Sequence, residues 1–222
     1  MTPSHDVQSG LDKLNGLLPL KKRQALLTHQ ERTLHIHILE SFLETGHPLS
    51  RDVEPAIVDD AEMDQMLATL AEGDLVVLVD DGRSVTGAYP FTTENRPHCV
   101  TVNGNTVHAM CALDAVSVAP MFNVATEISS VCHVTGAVVK IAMTGKVIEA
   151  VSPEGVHVGI RWQSTSGCAA KNLCMEMIFL ADASVAADWK QGDSDNISIY
   201  TIAEAVMFGG LFFRPLVYRN TQ

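Results

Sequence analysis

Leu75-Val76-Val77-Leu78-Val79, then Asp80-Asp81-Gly82-Arg83, then Ser84 through Phe91, is the stretch at which the chain changes character. The five apolar residues predict a strand, the next four a turn, and Ser84 to Phe91 a returning partner strand. Before this hairpin, apolar residues recur at helical spacing. Leu34, Ile38 and Phe42, with Leu39 and Leu43, predict a helix over 31–45, which Gly46, His47 and Pro48 stop. Ser50 is a candidate N-cap for a short second helix, with Asp52 and Glu54 in its first turn. Asp59 or Asp60 can cap a third, with the stripe Met63, Met66, Leu67 and Leu70 and a stop at Gly73. Residues 1–30 contain Pro3, Gly10, Gly16 and Pro19 and read as a loose tail passing into a helix near Leu20.

After the hairpin the pattern shortens to β-rich runs. These are Val100-Thr101-Val102, Thr126 to Ser130, Val138 to Met143, Val147 to Val151, Val156 to Trp162 and Met175 to Leu180. Turn residues such as Asn103-Gly104-Asn105 and Thr144-Gly145 separate them. Met110 to Phe122 and Ala183 to Gln191 predict helices. A third begins near Thr201 and runs through Glu204 and Ala205 before Gly209-Gly210. Runs of strands with interspersed helices give an α+β fold rather than a parallel array. The expected layout is an N-terminal extension over 1–30, a winged-helix-like helical module over 31–92, and a mixed or antiparallel sheet core with flanking helices over 93–222.

Composition narrows the function. The chain has 222 residues, 46% hydrophobic and 18% charged, with a net charge of −11. That reads as a folded globular protein large enough to build a core without staples. From Asp52 to Gly82 there are ten acidic residues and no Lys or Arg. A recognition helix with that charge is repelled by phosphate, so the winged-helix-like module is read as structural and no nucleic-acid partner is expected. No run of 18 apolar residues spans a membrane, and no signal-peptide pattern opens the chain. Five cysteines, an odd count, then point to free thiols in a reducing cytoplasm.

Familiar catalytic motifs are absent: no phosphate loop, GxSxG elbow, HExxH or paired CxxC. His35 and His37 are two apart, on different faces of a helix, and read as partly buried positions. Met110-Cys111-Ala112-Leu113-Asp114 is more suggestive. If it opens a helix, Cys111 and Asp114 share a face, so the carboxyl can exchange a proton with the thiol. The plainer alternative is that Asp114 caps the helix and Cys111 is core. His108, three residues before Cys111, is the nearest base for a thiol hydrolase, a weaker reading.

Four ordered blocks carry a family resemblance: Cys111-Ala112-Leu113-Asp114-Ala115; Ser129-Ser130-Val131-Cys132-His133-Val134-Thr135-Gly136; Cys174 ahead of Ile178-Phe179-Leu180-Ala181; and Asp188-Trp189. In this order the chain resembles the organomercurial (alkylmercury) lyases over about 95–215. The resemblance implies a catalytic trio of Cys111, Asp114 and Cys174, and a structural role for Cys132. It places the family's second catalytic Cys on a later strand, with Cys174 preferred over Cys168. The chain departs from the family at Met110, where Trp is usual, and around Cys174, where the neighbours are Leu173 and Met175.

The residue types suit the chemistry this implies. Mercury(II) is a soft cation and thiolates are the softest protein ligands. One thiolate captures R-Hg⁺, a second pushes electron density through the metal onto carbon, and a neutral carboxyl delivers the proton. The expected products are a hydrocarbon and Hg²⁺ held by Cys111, Cys174 and Asp114, with release to external thiols or a mercuric reductase. No organic cofactor or stored metal is required. The competing reading is a non-catalytic protein that binds or transfers a soft metal (Hg or Cu) through the same thiolates.

Overall fold

A computed structural model describes residues 2–50, 59–164 and 167–218. The proposed cap of a short helix at Ser50 leads into 51–58, outside the described residues.

The helix expected near Leu20 is present, but the residues before it are not a loose tail. Ser4 caps α1 (His5–Leu17), and α2 (Leu20–Ala25) follows. Val7, Leu11, Leu14 and Leu18 recur at helical spacing and are buried. Gly10 lets α1 sit against Tyr200 and Phe208, since a Cβ there would come within 2.2 Å of the Tyr200 hydroxyl. The isolated Gly and Pro residues suggested irregularity, but one serves close helix packing and the other lies between two helices.

The predicted helices then appear. α3 (His29–Thr45) has a Thr28–Glu31 capping box and ends on Gly46 in the left-handed region, φ 77°. α4 (Asp60–Glu72) is capped by Asp59. The apolar run Leu75–Val79 supplies only β1 (Val77–Leu78), because Leu75 and Val76 turn inward as buried core. Its partner is also shorter than predicted. β2 (Val85–Ala88) ends at Tyr89-Pro90, and Phe91 belongs to the next strand, β3 (Phe91–Thr92).

β4 (Cys99–Val102) and β5 (Asn105–Ala109) form a hairpin about Asn103-Gly104, with φ of 52° and 81°. The second strand of that hairpin was not anticipated, because Thr106 and His108 blur its apolar alternation. α5 (Ala112–Phe122) follows, then β6 (Ala125–Val131), β7 (Val138–Thr144) and β8 (Val147–Ser152). These eight strands form one sheet in the order β1-β2-β3-β5-β4-β6-β7-β8, with every neighbouring pair antiparallel. Alternation along β6 and β7 buries Ile128, Val139, Ile141 and Met143 on one face.

A second, three-stranded antiparallel sheet is built from β9 (His157–Arg161), β10 (Met177–Leu180) and β11 (Ile197–Thr201), with β9 in the middle. α6 (Ala183–Gln191) lies between β10 and β11 in sequence. The last helix, α7 (Ile202–Val217), runs straight through Gly209-Gly210 rather than stopping before them. The reason is packing. α7 lies against α5, and a Cβ at Gly209 would meet the Ser117 Oγ at 1.9 Å. Glycine here removes a clash between two helices.

α5 is the centre of the fold. Every residue from Ala112 to Met121 is buried, as expected of a helix apolar on all sides. Its N-terminus carries the residues of interest.

Candidate active site

The chain leaves β5 at Ala109, whose N–H bonds the His98 carbonyl, and turns at Met110, whose N–H bonds the Pro90 carbonyl. Met110 lays its terminal methyl over Gly87, where a Cβ would come within 2.6 Å. Cys111, in extended backbone, is the N-cap of α5. The sequence left this role to Asp114. Instead the Cys111 Sγ accepts the Asp114 backbone N–H at 3.3 Å, in the manner of a capping serine. The Cys111 thiol in turn donates to Asp114 Oδ2 at 2.8 Å. Both residues are 1% exposed.

Cys174 is not on a strand. It sits in a 3-10 turn (Leu173–Glu176) that runs directly into β10 and is buried. A second short 3-10 turn (Ala169–Lys171) precedes it. This segment is anchored from the N-terminal helices. Asp74 accepts the Ala169 N–H at 3.1 Å and the Tyr89 hydroxyl at 3.3 Å, and pairs with Arg23 at 3.7 Å.

The tertiary fold thus brings Cys111, Asp114 and Cys174 together. One ligand atom from each lies within 4.8 Å of the others, and all three residues are buried. Among the described residues this is the one group of His, Cys, Asp and Glu side chains gathered closely enough to hold a metal ion.

Burial sets the protonation of the trio. Lack of water pushes the Asp114 carboxyl from 3.8 up to about 7, against the pull of the hydrogen bonds from Cys111. Burial also pushes the Cys111 thiol well above its ordinary value, helped by the neighbouring Cys174 and Asp114. For Cys174 the hydrogen bond with Cys111 favours the thiolate, but burial and the negative charges of Asp114 and Asp74 outweigh it and leave the thiol raised. The two thiols therefore keep their protons until a cation displaces them, while Asp114 can take up or give up a proton near neutrality.

A small cleft of about 110 Å³ reaches Cys174 of the trio, and Met110, Met177, His98 and Phe179 also line it, with Arg96 and His133 among the rest. A larger depression of about 490 Å³, lined by Leu34, Ile38, Met63 and Leu67, presents no thiol. The chemistry lies with the smaller one. His98 is a residue that sequence reasoning left unassigned. Its ring bonds Ser130 Oγ at 2.8 Å and meets the edge of Phe179. Burial, aided by the positive Arg96, lowers it to about 4, so it lines the cleft as a neutral ring. The only signal in the chain was its partner's place in the Ser129-Ser130 block.

The other cysteines lie elsewhere. Cys132 is buried where the chain leaves β6, and its Sγ accepts the Thr135 N–H at 3.4 Å. Burial pushes this thiol up, but hydrogen bonds from Thr135 outweigh it and hold the value below the ordinary one. Cys168 is half-buried, its thiol raised by burial and by Asp74. Cys99 pairs with His108, whose Nδ1 donates to the Arg96 carbonyl at 2.7 Å. The Cys111 thiol itself donates to Asp114 rather than to His108. His35 is buried and bonded to Gln24 at 2.9 Å, and His37 is half-buried; neither joins a metal-binding group.

Comparison with known proteins gives the chain a family and a fold relative. The alkylmercury lyase family model matches residues 91–214. An alkylmercury lyase of Staphylococcus epidermidis is 27% identical over 166 residues, covering 75% of this chain and 69% of that protein. One of Pseudomonas putida is 24% identical over 192 residues, covering 85% and 88%. The crystal structure of the mercury-bound form of MerB2 superposes with a TM-score of 0.73 at 18% identity, over 89% of this chain and 98% of that one. The last match shows a shared α+β fold. With the family model spanning more than half of its length, the chain belongs to the alkylmercury lyase family and is an enzyme of that kind.

Proposed function

We propose that this enzyme cleaves the carbon–mercury bond of organomercurials by protonolysis, with Cys111, Cys174 and Asp114 as the reacting groups. The single observation that carries the reading is the buried convergence of two sulfurs and one carboxyl within 4.8 Å.

The steps follow from the protonation of the trio. Cys111 exchanges with the thiol that carries R-Hg⁺, forming a Cys111–Hg bond and releasing the carrier as free thiol. Cys174 then bonds to the metal and gives its proton to Asp114. Two thiolates raise electron density at the carbon. Asp114 passes the proton to that carbon as the Hg–C bond breaks, giving R-H and Hg²⁺ bound by two thiolates. A carboxyl that titrates near neutrality can both take and return this proton, and such transfer contributes on the order of 10²–10⁴-fold. The site needs no organic cofactor, because both the proton and the ligands come from side chains. Product leaves by exchange with external thiols or a mercuric reductase.

The cleft is narrow and apolar, which suits a small alkyl or aryl group. The helical region over 31–92 serves structure rather than nucleic-acid binding in this reading. Among the described residues no helix is long and apolar enough to cross a membrane. Five free cysteines suit a reducing compartment such as the cytoplasm.

The test is direct. Purified protein with a methyl- or phenylmercury thiol adduct and excess thiol should evolve methane or benzene. Stoichiometric mercury binding without hydrocarbon would instead establish a soft-metal carrier.

A further inference from the structure

Two sulfurs complete the reaction above, yet a third lies against one of them, Cys111. Met177 follows Cys174 by three residues, and its N–H bonds the Cys174 carbonyl to close the 3-10 turn. Met177 opens β10 in extended backbone, and from there its Sδ lies 3.6 Å from Cys111 Sγ. The residue is 3% exposed and lines the cleft beside Cys174. A leucine would fill comparable space, so packing alone does not require sulfur here. A thioether adds a soft, polarisable donor that carries no proton and no charge.

We propose that Met177 Sδ is a third sulfur ligand to mercury, joining Cys111 and Cys174 on the metal. The proposal rests on the protonolysis reading of the site. The lone pair of Sδ donates to mercury; no proton moves, no electron is transferred and no other bond breaks. Its effect is to hold the metal during cleavage and to retain Hg²⁺ until an external thiol displaces it.

X-ray absorption at the mercury edge tests this on the full chain loaded with one equivalent of Hg²⁺. The selenomethionyl protein should show selenium in the mercury coordination shell, and Met177→Leu in that background should abolish the signal. In ordinary protein, Met177→Leu should lower the sulfur count from three to two and speed mercury release to glutathione by at least about tenfold, the lower end of what losing a supporting group costs a metal site. No selenium at the metal, selenium that persists in Met177→Leu, or unchanged release would overturn the proposal. The selenomethionyl protein needs no substitution, so the result stands even if the leucine variant folds poorly. Cys174→Ser separates the two readings. Loss of cleavage there, with no selenium at mercury in the native chain, sinks the Met177 ligand alone; retained cleavage sinks the site assignment itself.

Discussion

The Cys111 sulfur accepts the backbone N–H of Asp114 at 3.3 Å while its thiol donates to the Asp114 carboxylate at 2.8 Å. One residue is thus both the cap of a buried helix and the partner of its acid, so the proton route is built into the helix start. Asp114→Ala should retain stoichiometric mercury capture and lose turnover on the order of 10²–10⁴-fold. Hydrocarbon evolution measured alongside mercury titration checks it, and normal turnover in the variant would remove Asp114 as the donor.

The cysteines should divide sharply. Cys111→Ser and Cys174→Ser each leave mercury one thiolate and should reduce cleavage to background. Cys132 accepts a loop N–H at 3.4 Å, away from the trio. Cys132→Ser should lower stability by about 1 kcal/mol yet keep cleavage within a few-fold of the parent. Denaturant midpoints and turnover on the same preparations separate these outcomes, and loss of turnover in a fully folded Cys132→Ser would contradict the division.

Helix packing behind the site is tight. A Cβ on Gly209 would fall 1.9 Å from Ser117 Oγ and 2.9 Å from Ser117 Cβ. Gly209→Ala gains helix propensity but has to push α7 off α5, at a net cost of about 1–3 kcal/mol. Because α5 carries Cys111, turnover should fall as well. A thermal melt unchanged from the parent would show that the two helices separate freely.

Asp74 holds the segment that carries Cys174 through the Ala169 N–H and ties it to Tyr89 and Arg23. Asp74→Ala leaves a buried N–H and a hydroxyl without their acceptor, costing about 1–3 kcal/mol. Cleavage should weaken without disappearing, since no reacting group is lost. Wild-type stability in this variant would show that the anchor is dispensable.

Acid should destabilise the fold through its buried histidines. Burial lowers His35 from 6.5 to about 4, and the neutral ring is held by Gln24 and the Leu75 carbonyl. A folded-state value below the unfolded one gives stability that is complete above about 6.5 and is lost as pH falls through 4. The loss is on the order of 3 kcal/mol for His35, and His98 acts in the same direction. His35→Gln keeps a donor and an acceptor but does not titrate. The stability gap between parent and variant should therefore shrink from pH 7 to pH 4.5 in urea titrations. A constant gap would clear His35 of this role.

Local chemistry decided much of this protein before any folding. The apolar spacing of Leu34, Ile38, Leu39 and Phe42, the Asp59 cap and the alternation along 125–144 are short-range patterns, and each became the element it predicts. The ordered blocks around Cys111, Cys132 and Cys174 were likewise legible, because residue type and order survive without coordinates. Other features depended on partners far along the chain. Val7 and Leu11 read as tail until Tyr200 and Phe208 supplied a surface to bury them, and Gly209-Gly210 read as a stop until Ser117 and Pro120 occupied the space a Cβ needs. The capping role of Cys111, the turn that holds Cys174 and the approach of Met177 to Cys111 belong to the same class. Periodicity reports which face of an element is apolar; which distant side chains meet there, and how dry their meeting place is, is settled only when the layers close over α5.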